Sequence, residues 1–357
     1  MTDSVFITGA IDAFEGRETA KCDLPGAFLH TVTDEKVIMV LRGELCDLMV
    51  KVNPQLYRKY VINSKKGTPM LYVELYKSLY GLMRSALLFY RKLRKELEDY
   101  GFIFNPYDPC VANLDTESGN QLTVVFHVDD LKISCKEGWK ITKFLLYLKN
   151  IYGSKITIER SKTFEFLGMD LDFSEPKVFA VSMVPFIEKI LEDWPEQITK
   201  SSQCPHNSNL FKIRDETEAI YLPEEQAQQF HHTVAQLVWL QKRARRDIQV
   251  ATSFLSTRVK KPDEDDWGKC RRVLQYLKGY KSLKLRIVAE DLNEIKWLVD
   301  ASHNVHWDSK GQTGAGMTLG QGAIISSSNK QRINTKSACE SELVGIDDAI
   351  PTMLWRH

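Results

Sequence analysis

The sequence has no apolar run approaching the roughly 20 residues a helix needs to cross a bilayer. Its opening stretch, MTDSVFITGAIDAFEGRE, has no basic region ahead of an apolar one and carries acids early, so no secretory leader is expected. An intracellular protein follows, with no membrane partner. No two cysteines stand in a CxxC spacing. The seven present (Cys22, Cys46, Cys110, Cys135, Cys204, Cys270, Cys339) are scattered and odd in number, which argues against a disulfide framework and a zinc site; most read as small buried apolar residues. Low-complexity tracts and internal repeats are also missing, which excludes solenoids and long linkers. Net charge is nearly absent, at +1 from 48 basic and 47 acidic residues, so the overall balance does not announce a nucleic-acid binder.

What is present is a chain of 357 residues with 43% hydrophobic content, enough for two or three domains of ordinary size. Residues 1 to about 115 mix short strand-like runs with one helix, ALLFYRKLRKELEDYGF, in which Leu87, Tyr90, Leu93, Leu97 and Tyr100 fall near one face and Gly101 ends it. A hairpin (QLTVVFHVDDLKISC), a helix from Trp139 to Tyr152, a short hairpin around FEFLGMDLDF and the amphipathic VSMVPFIEKILEDW follow. SSQCPHNSNLFK reads as a connection, because Ser, Asn and Pro cluster there. Residues 224–287 are helix-rich and basic. From Ile295 the texture becomes strand, Gly-rich hairpin and then a helix from about Ser337, a second small α/β unit.

Charge is unevenly placed. Lys242 to Arg286 holds KRARR, RVKK, KCRR and KGYKSLK, interrupted mainly by the acids Asp263–Asp266. Such a cluster can neutralise phosphates, with Lys242, Arg243, Arg245, Arg246, Arg271 and Arg272 as the candidate contacts; the bland alternative is a solvated helix face. His231 and His232 point apart on a helix and are not expected to bind metal. Trp239, Trp267 and Trp297 are expected to be core aromatics.

The sharpest local feature is FHVDDLKIS, two adjacent aspartates between apolar strand-like runs. Paired carboxylates at a hairpin tip repel one another and call for something cationic, although Asp is also a common turn residue. Upstream, in TAKCDLPGAFLHT, Asp23 closes a short extended run. One aspartate ending a strand plus two at a tip is the donor set of a two-metal phosphoryl-transfer site. Spacing alone does not bring residues this far apart together.

These stretches, in order, resemble the polymerase region of copia-type retrotransposon Pol polyproteins. CDLPGAFLH resembles that family's DVKTAFLNG, KSLYGLMRSALLFY its KSLYGLKQAPRAWY, FHVDD its YVDD box, and FEFLGMDL its FLG-x-E hairpin. HTVAQLVWLQKRARRDIQVATSFLS and GKCRRVLQYLKG resemble its YRSLVGSLMYLATTRPDIAFAVSLLS and AAKRILRYLKG. VDASHNVH and SSSNKQRINTKSACESELVGID resemble the VDADWA and SSKKQ…SSTEAELVG blocks of its RNase H domain.

The resemblance implies an α+β fold: a reverse transcriptase palm with an antiparallel sheet and packed helices over 1–175, a helical, basic thumb or connection over 176–290, and an N-terminal part of an RNase H-like α/β unit over 291–357. It implies RNA-directed DNA synthesis with two Mg²⁺ or Mn²⁺ ions. Asp23, Asp129 and Asp130 would be the catalytic carboxylates and metal ligands, with Asp130 in the weaker role. Phe28 would be the steric gate and Gly81 the place where backbone approaches the nucleotide. Phe166, Leu167 and Gly168 would hold the primer end. Asp300 and Glu342 would be the RNase H remnant. An RNA template, a DNA primer and deoxynucleotides would be the partners, beside the integrase, protease and Gag parts of a full element. An element of this kind works in the cytoplasm, in virus-like particles, and in the nucleus.

Three departures from the family pattern bear on activity. The fingers that normally precede Asp23 are expected to be missing. The RNase H part is expected to be cut short, with Asp347 and Asp348 too close after Glu342 to supply the further acids, so that RNase H activity is weak or absent. His127, the segment Arg84–Phe89 and SACESE have drifted. The alternative to an active polymerase is therefore an inactive element relic that at most binds nucleic acid.

Overall fold

A computed structural model describes residues 2–355, in an α+β arrangement of antiparallel sheets and helices. The chain packs into two units: one runs up to Lys21, takes in Lys132–Trp139 and continues from Glu159, and the other comprises Cys22–Leu131 and Lys140–Ile158. This differs from the three consecutive domains expected. In the first unit the strands Thr163–Phe166, Met169–Asp172 and Phe179–Ser182 continue into Leu285–Ala289 and Gly320–Gln321 as one five-stranded antiparallel sheet. Phe179 pairs with Ile287 more than a hundred positions away, and Val288 pairs with Gln321 across the expected boundary near residue 290. Strand pairing between segments that distant leaves no local trace in a sequence.

The first unit also holds a helix that the sequence does not advertise, Thr2–Glu15. Its buried face includes Thr8, Gly9 and Asp12 beside Val5, Phe6 and Ala10, so apolar periodicity is broken. Asp12 is tied to Lys132, whose ammonium also donates to the Thr8 hydroxyl at 3.2 Å; both charged side chains are almost completely buried. Gly9 lets the helix lie directly on Phe179: a Cβ at residue 9 would stand 2.5 Å from that buried ring. Gly9→Val is expected to lower stability by about 1–3 kcal/mol through overpacking, read as a lower urea midpoint with unchanged slope.

Helices Glu224–Gln241, Gln249–Arg258 and Glu264–Gly279 form the expected helical region. The acids at 263–266 serve as its punctuation: Asp263 and Asp266 make a reciprocal capping box at the start of the third helix. Trp267 is buried and stacks on Trp194 with centroids 4.0 Å apart. Trp239 departs from the core expectation, being 46% exposed beneath the Arg243 guanidinium. Trp297 is half-buried. At the end, Lys296–Ser302, Lys310–Thr318 and Ile325–Asn334 form a three-stranded antiparallel sheet followed by the helix Ala338–Trp355, the order of elements expected.

In the second unit, the strands Ile103–Phe104, Val111–Asp115 and Gln121–His127 form an antiparallel run, and Val32–Arg42, Pro69–Lys77 and Ile62–Asn63 a separate three-stranded sheet. The expected helix spans Ser85–Tyr100 and ends at Gly101, whose φ of 110° suits a left-handed terminus. It buries Ser85, Phe89, Leu93 and Leu97, whereas Leu87 is exposed. Cys22, Cys46, Cys135 and Cys270 are buried and all seven cysteines are free. Among the described residues no helix is long and apolar enough to cross a membrane.

Candidate active site

The second unit contains Asp23, Asp129, Asp130, Phe28 and Gly81 together. The strand Glu18–Asp23 ends at Asp23, and the next residue fixes its position: the Leu24 amide donates to the carbonyl of Asp129 at 3.0 Å. That single backbone bond holds the end of one strand against the tip between Gln121–His127 and Asp130–Cys135. The tip is strained. Val128 has φ 57°, a left-handed conformation that costs a non-glycine residue of order 1–3 kcal/mol and persists only where surroundings hold it.

Around the two aspartates the chain supplies an aromatic wall. The Tyr80 hydroxyl donates to Asp129 Oδ2 at 3.2 Å, and its ring packs on Phe28 with centroids 4.5 Å apart. Partial burial, then the Asp129 charge and hydrogen bond, and then the Asp23 charge push the Tyr80 hydroxyl above its ordinary pKa. Both carboxylates thus act on one hydroxyl. On the other flank, burial and the charge of Asp23 push the Cys22 thiol up to about 12, so this cysteine is a packed neutral group.

Asp130 behaves differently. Asp129 lies in the turn itself, whereas Asp130 opens the strand Asp130–Cys135. Among the described residues no group of three or more His, Cys, Asp or Glu side chains has the spacing of a metal site. The Leu24–Asp129 bond brings the chain at Asp23 to the hairpin tip that carries Asp129 and Asp130.

Tyr80 is the residue that sequence reasoning missed. It is 62% exposed, whereas Phe28 is 8% exposed and covered by Tyr80 and Phe89. The ring that can meet a ligand is Tyr80. Its signal was in view within KSLYGL, immediately before Gly81. That glycine has φ 94° and open space where a Cβ would stand, so conformation rather than crowding requires it.

The remaining candidates lie in the first unit. In the hairpin at 163–172, Leu167 (φ 54°) and Gly168 (φ 75°) form the two-residue turn, while Phe166 is fully buried and cannot touch a primer. Glu342 accepts from the Ala301 amide at 3.2 Å. Asp300 is exposed, and alternation along its strand puts it on the opposite face from Val299 and Ala301, both of which meet the helix at Gly345. Through its bond to the Ala301 amide, Glu342 reaches the backbone of the residue next to Asp300, on the strand Lys296–Ser302. Glu340 accepts from the Lys336 amide at the helix start, and Asp348 from the Thr313 hydroxyl.

Most of the basic candidates are occupied. Arg245 is buried and grips Asp247 with two nitrogens and the Tyr280 carbonyl with a third. Arg246 holds Ser326 and the Ile324 carbonyl, and burial lowers its pKa to about 10. Arg271 forms a two-pronged pair with Glu196, and Arg243 lies over Trp239. Four of the six serve the fold, because a guanidinium's five donors find partners as its helix packs. Lys242 is exposed, and Arg272 has no hydrogen bond or ion pair among the described residues.

This chain is similar to proteins encoded by transposons, and specifically to Pol polyproteins of the Ty5 and copia type. It is 26% identical over 260 residues to the putative transposon Ty5-1 protein of Saccharomyces cerevisiae, across 72% of this chain and 81% of that protein. It is 23% identical over 349 residues to the retrovirus-related Pol polyprotein from transposon TNT 1-94 of Nicotiana tabacum, across 95% of this chain and 24% of the polyprotein. The chain thus corresponds to about a quarter of the tobacco polyprotein's length. No family model matches it.

Proposed function

We propose that this chain is the RNA-directed DNA polymerase segment of a retrotransposon Pol polyprotein, with its reaction centre at Asp23 and Asp129. The observation that carries this reading is the Leu24–Asp129 backbone bond, which unites two aspartates over a hundred positions apart at the end of a strand and the tip of a hairpin. In the reaction proposed, a primer 3′-hydroxyl attacks the α-phosphorus of a deoxynucleoside triphosphate and pyrophosphate leaves.

Asp23 and Asp129 present hard carboxylate oxygens, the donors that Mg²⁺ or Mn²⁺ takes, and Asp130 stands in support. Divalent cations held there would neutralise charge on the attacking and departing oxygens. The chain's own contribution is position: the strained tip holds Asp129, the Tyr80 hydroxyl orients its carboxylate, and the Tyr80 ring backed by Phe28 offers a flat wall to a sugar or base. Tyr80→Phe keeps that wall and removes the hydroxyl. Stability is expected to change by no more than about 0.5 kcal/mol, because the residue is exposed. The Mg²⁺ concentration for half-maximal synthesis is expected to rise by about tenfold or more, the usual effect of removing a group that orients a metal ligand. Primer extension on an RNA template, comparing the chain with Asp129→Asn, tests the polymerase reading.

A further inference from the structure

Arg272 is the exception in the basic region. It lies on the helix Glu264–Gly279 one residue after Arg271, yet only Arg271 has an acidic partner. The Arg272 Nε is buried with no hydrogen-bond partner among the described residues, as are those of Arg243 and Arg246, but those two guanidiniums bond through their terminal nitrogens. A buried donor left unmade costs about 1–3 kcal/mol, and a guanidinium in that condition is complementary to an anion.

The surroundings supply room and further donors. Arg272 lines a groove of about 500 Å³ between this helix and the segment from Pro205 to Lys212, shared with His206, Asn207, Asn209, Lys212 and Gln275. Two acids also line it. Asp265 has both oxygens taken by Arg214, which cancels its field, and Glu264 stands exposed in the first helical turn. Lys269 is already committed to the Lys212 carbonyl. Gly268 leaves the groove wall open: a Cβ there would meet nothing within 4 Å. Amide side chains beside an unspent guanidinium, a lysine and a histidine suit the ester and free oxygens of a phosphodiester, and the volume exceeds what a lone phosphate fills.

We propose that this groove binds a backbone phosphate of a nucleic-acid strand, with Arg272 as its principal contact. The assignment rests on the polymerase reading only for the choice of strand over other phosphate carriers. The test is fluorescence anisotropy of a labelled single-stranded DNA and an RNA/DNA hybrid with the full chain, in chelator and without nucleotide, across a salt series. Arg272→Ala is expected to weaken binding about tenfold at low salt and to reduce the slope of log Kd against log salt by about 0.7–1, the loss of one phosphate contact. Gly268→Glu, which places an acid in open space on a helical backbone, is expected to weaken binding equally without lowering the melting temperature. Wild-type affinity in both variants overturns the proposal, as does weaker binding with an unchanged salt slope. Binding of inorganic phosphate at millimolar concentration with no oligonucleotide binding overturns the assignment to a strand. Because the assay needs no synthesis, a chain that binds in this way but fails to extend a primer counts against the polymerase centre and not against the groove.

Discussion

Asp129→Asn is expected to reduce primer extension by about a thousandfold or more while leaving the fold intact. The substitution keeps size and one acceptor oxygen, so the backbone bond from Leu24 to the residue 129 carbonyl survives. What is lost is one negative charge beside Asp23. Charge neutralisation by bound cations contributes several kcal/mol to a phosphoryl-transfer transition state, and each 1.36 kcal/mol is a factor of ten in rate. The Tyr80 hydroxyl loses its anionic acceptor as well, so its pKa falls back toward the ordinary tyrosine range, by the Asp129 part of the shift. The measurement is nucleotide incorporation at saturating template-primer, with melting temperature as the control. A thousandfold loss at constant stability separates chemistry from folding; a variant as active as the parent removes the carboxylate pair from the mechanism.

Lys132→Ala is expected to destabilise the first unit by about 3–5 kcal/mol. Lys132 and Asp12 are 1% and 0% exposed, and the ammonium also satisfies Thr8. Removing the ammonium leaves the buried Asp12 carboxylate with the more distant Arg17 at 3.9 Å, which accounts for the magnitude. Ordinary stability is only about 5–15 kcal/mol, so the variant is expected to lose its native state at low urea. Asp12→Leu combined with Lys132→Met is expected to recover part of the loss, since the pair is replaced by apolar groups while Arg17, 3.9 Å from Asp12, keeps its pair with Glu15. Urea denaturation of the two variants gives the comparison. A Lys132→Ala midpoint equal to that of the parent contradicts the reading of this pair as a structural tie.

The contrast between these sites shows which features a sequence carries. The final strands and helix were legible because each is long and bounded by glycines or a capping serine: the Ser337 hydroxyl accepts from the Glu340 amide at the helix start. The aspartate tip was legible because two charges interrupt apolar strands. The helix Thr2–Glu15 was not, because Asp12 on its buried face has its partner 120 positions away. The same cause misled the basic region, where Arg245 and Arg246 look like solvent-facing cations until Asp247, Tyr280 and Ser326 are placed around them. Phe28 was singled out where Tyr80 is the exposed ring, since a sequence places both aromatics near the site without saying which covers the other.

The most direct measurement is a Mn²⁺ titration of the full chain by electron paramagnetic resonance, which counts free ion, run beside Asp23→Asn and Asp129→Asn. Asp23 and Asp129 as joint ligands predict that the parent binds Mn²⁺ and that either substitution alone removes or weakens that binding by tenfold or more. Equal Mn²⁺ uptake by all three proteins, or none by the parent, contradicts a metal-dependent centre at these two residues.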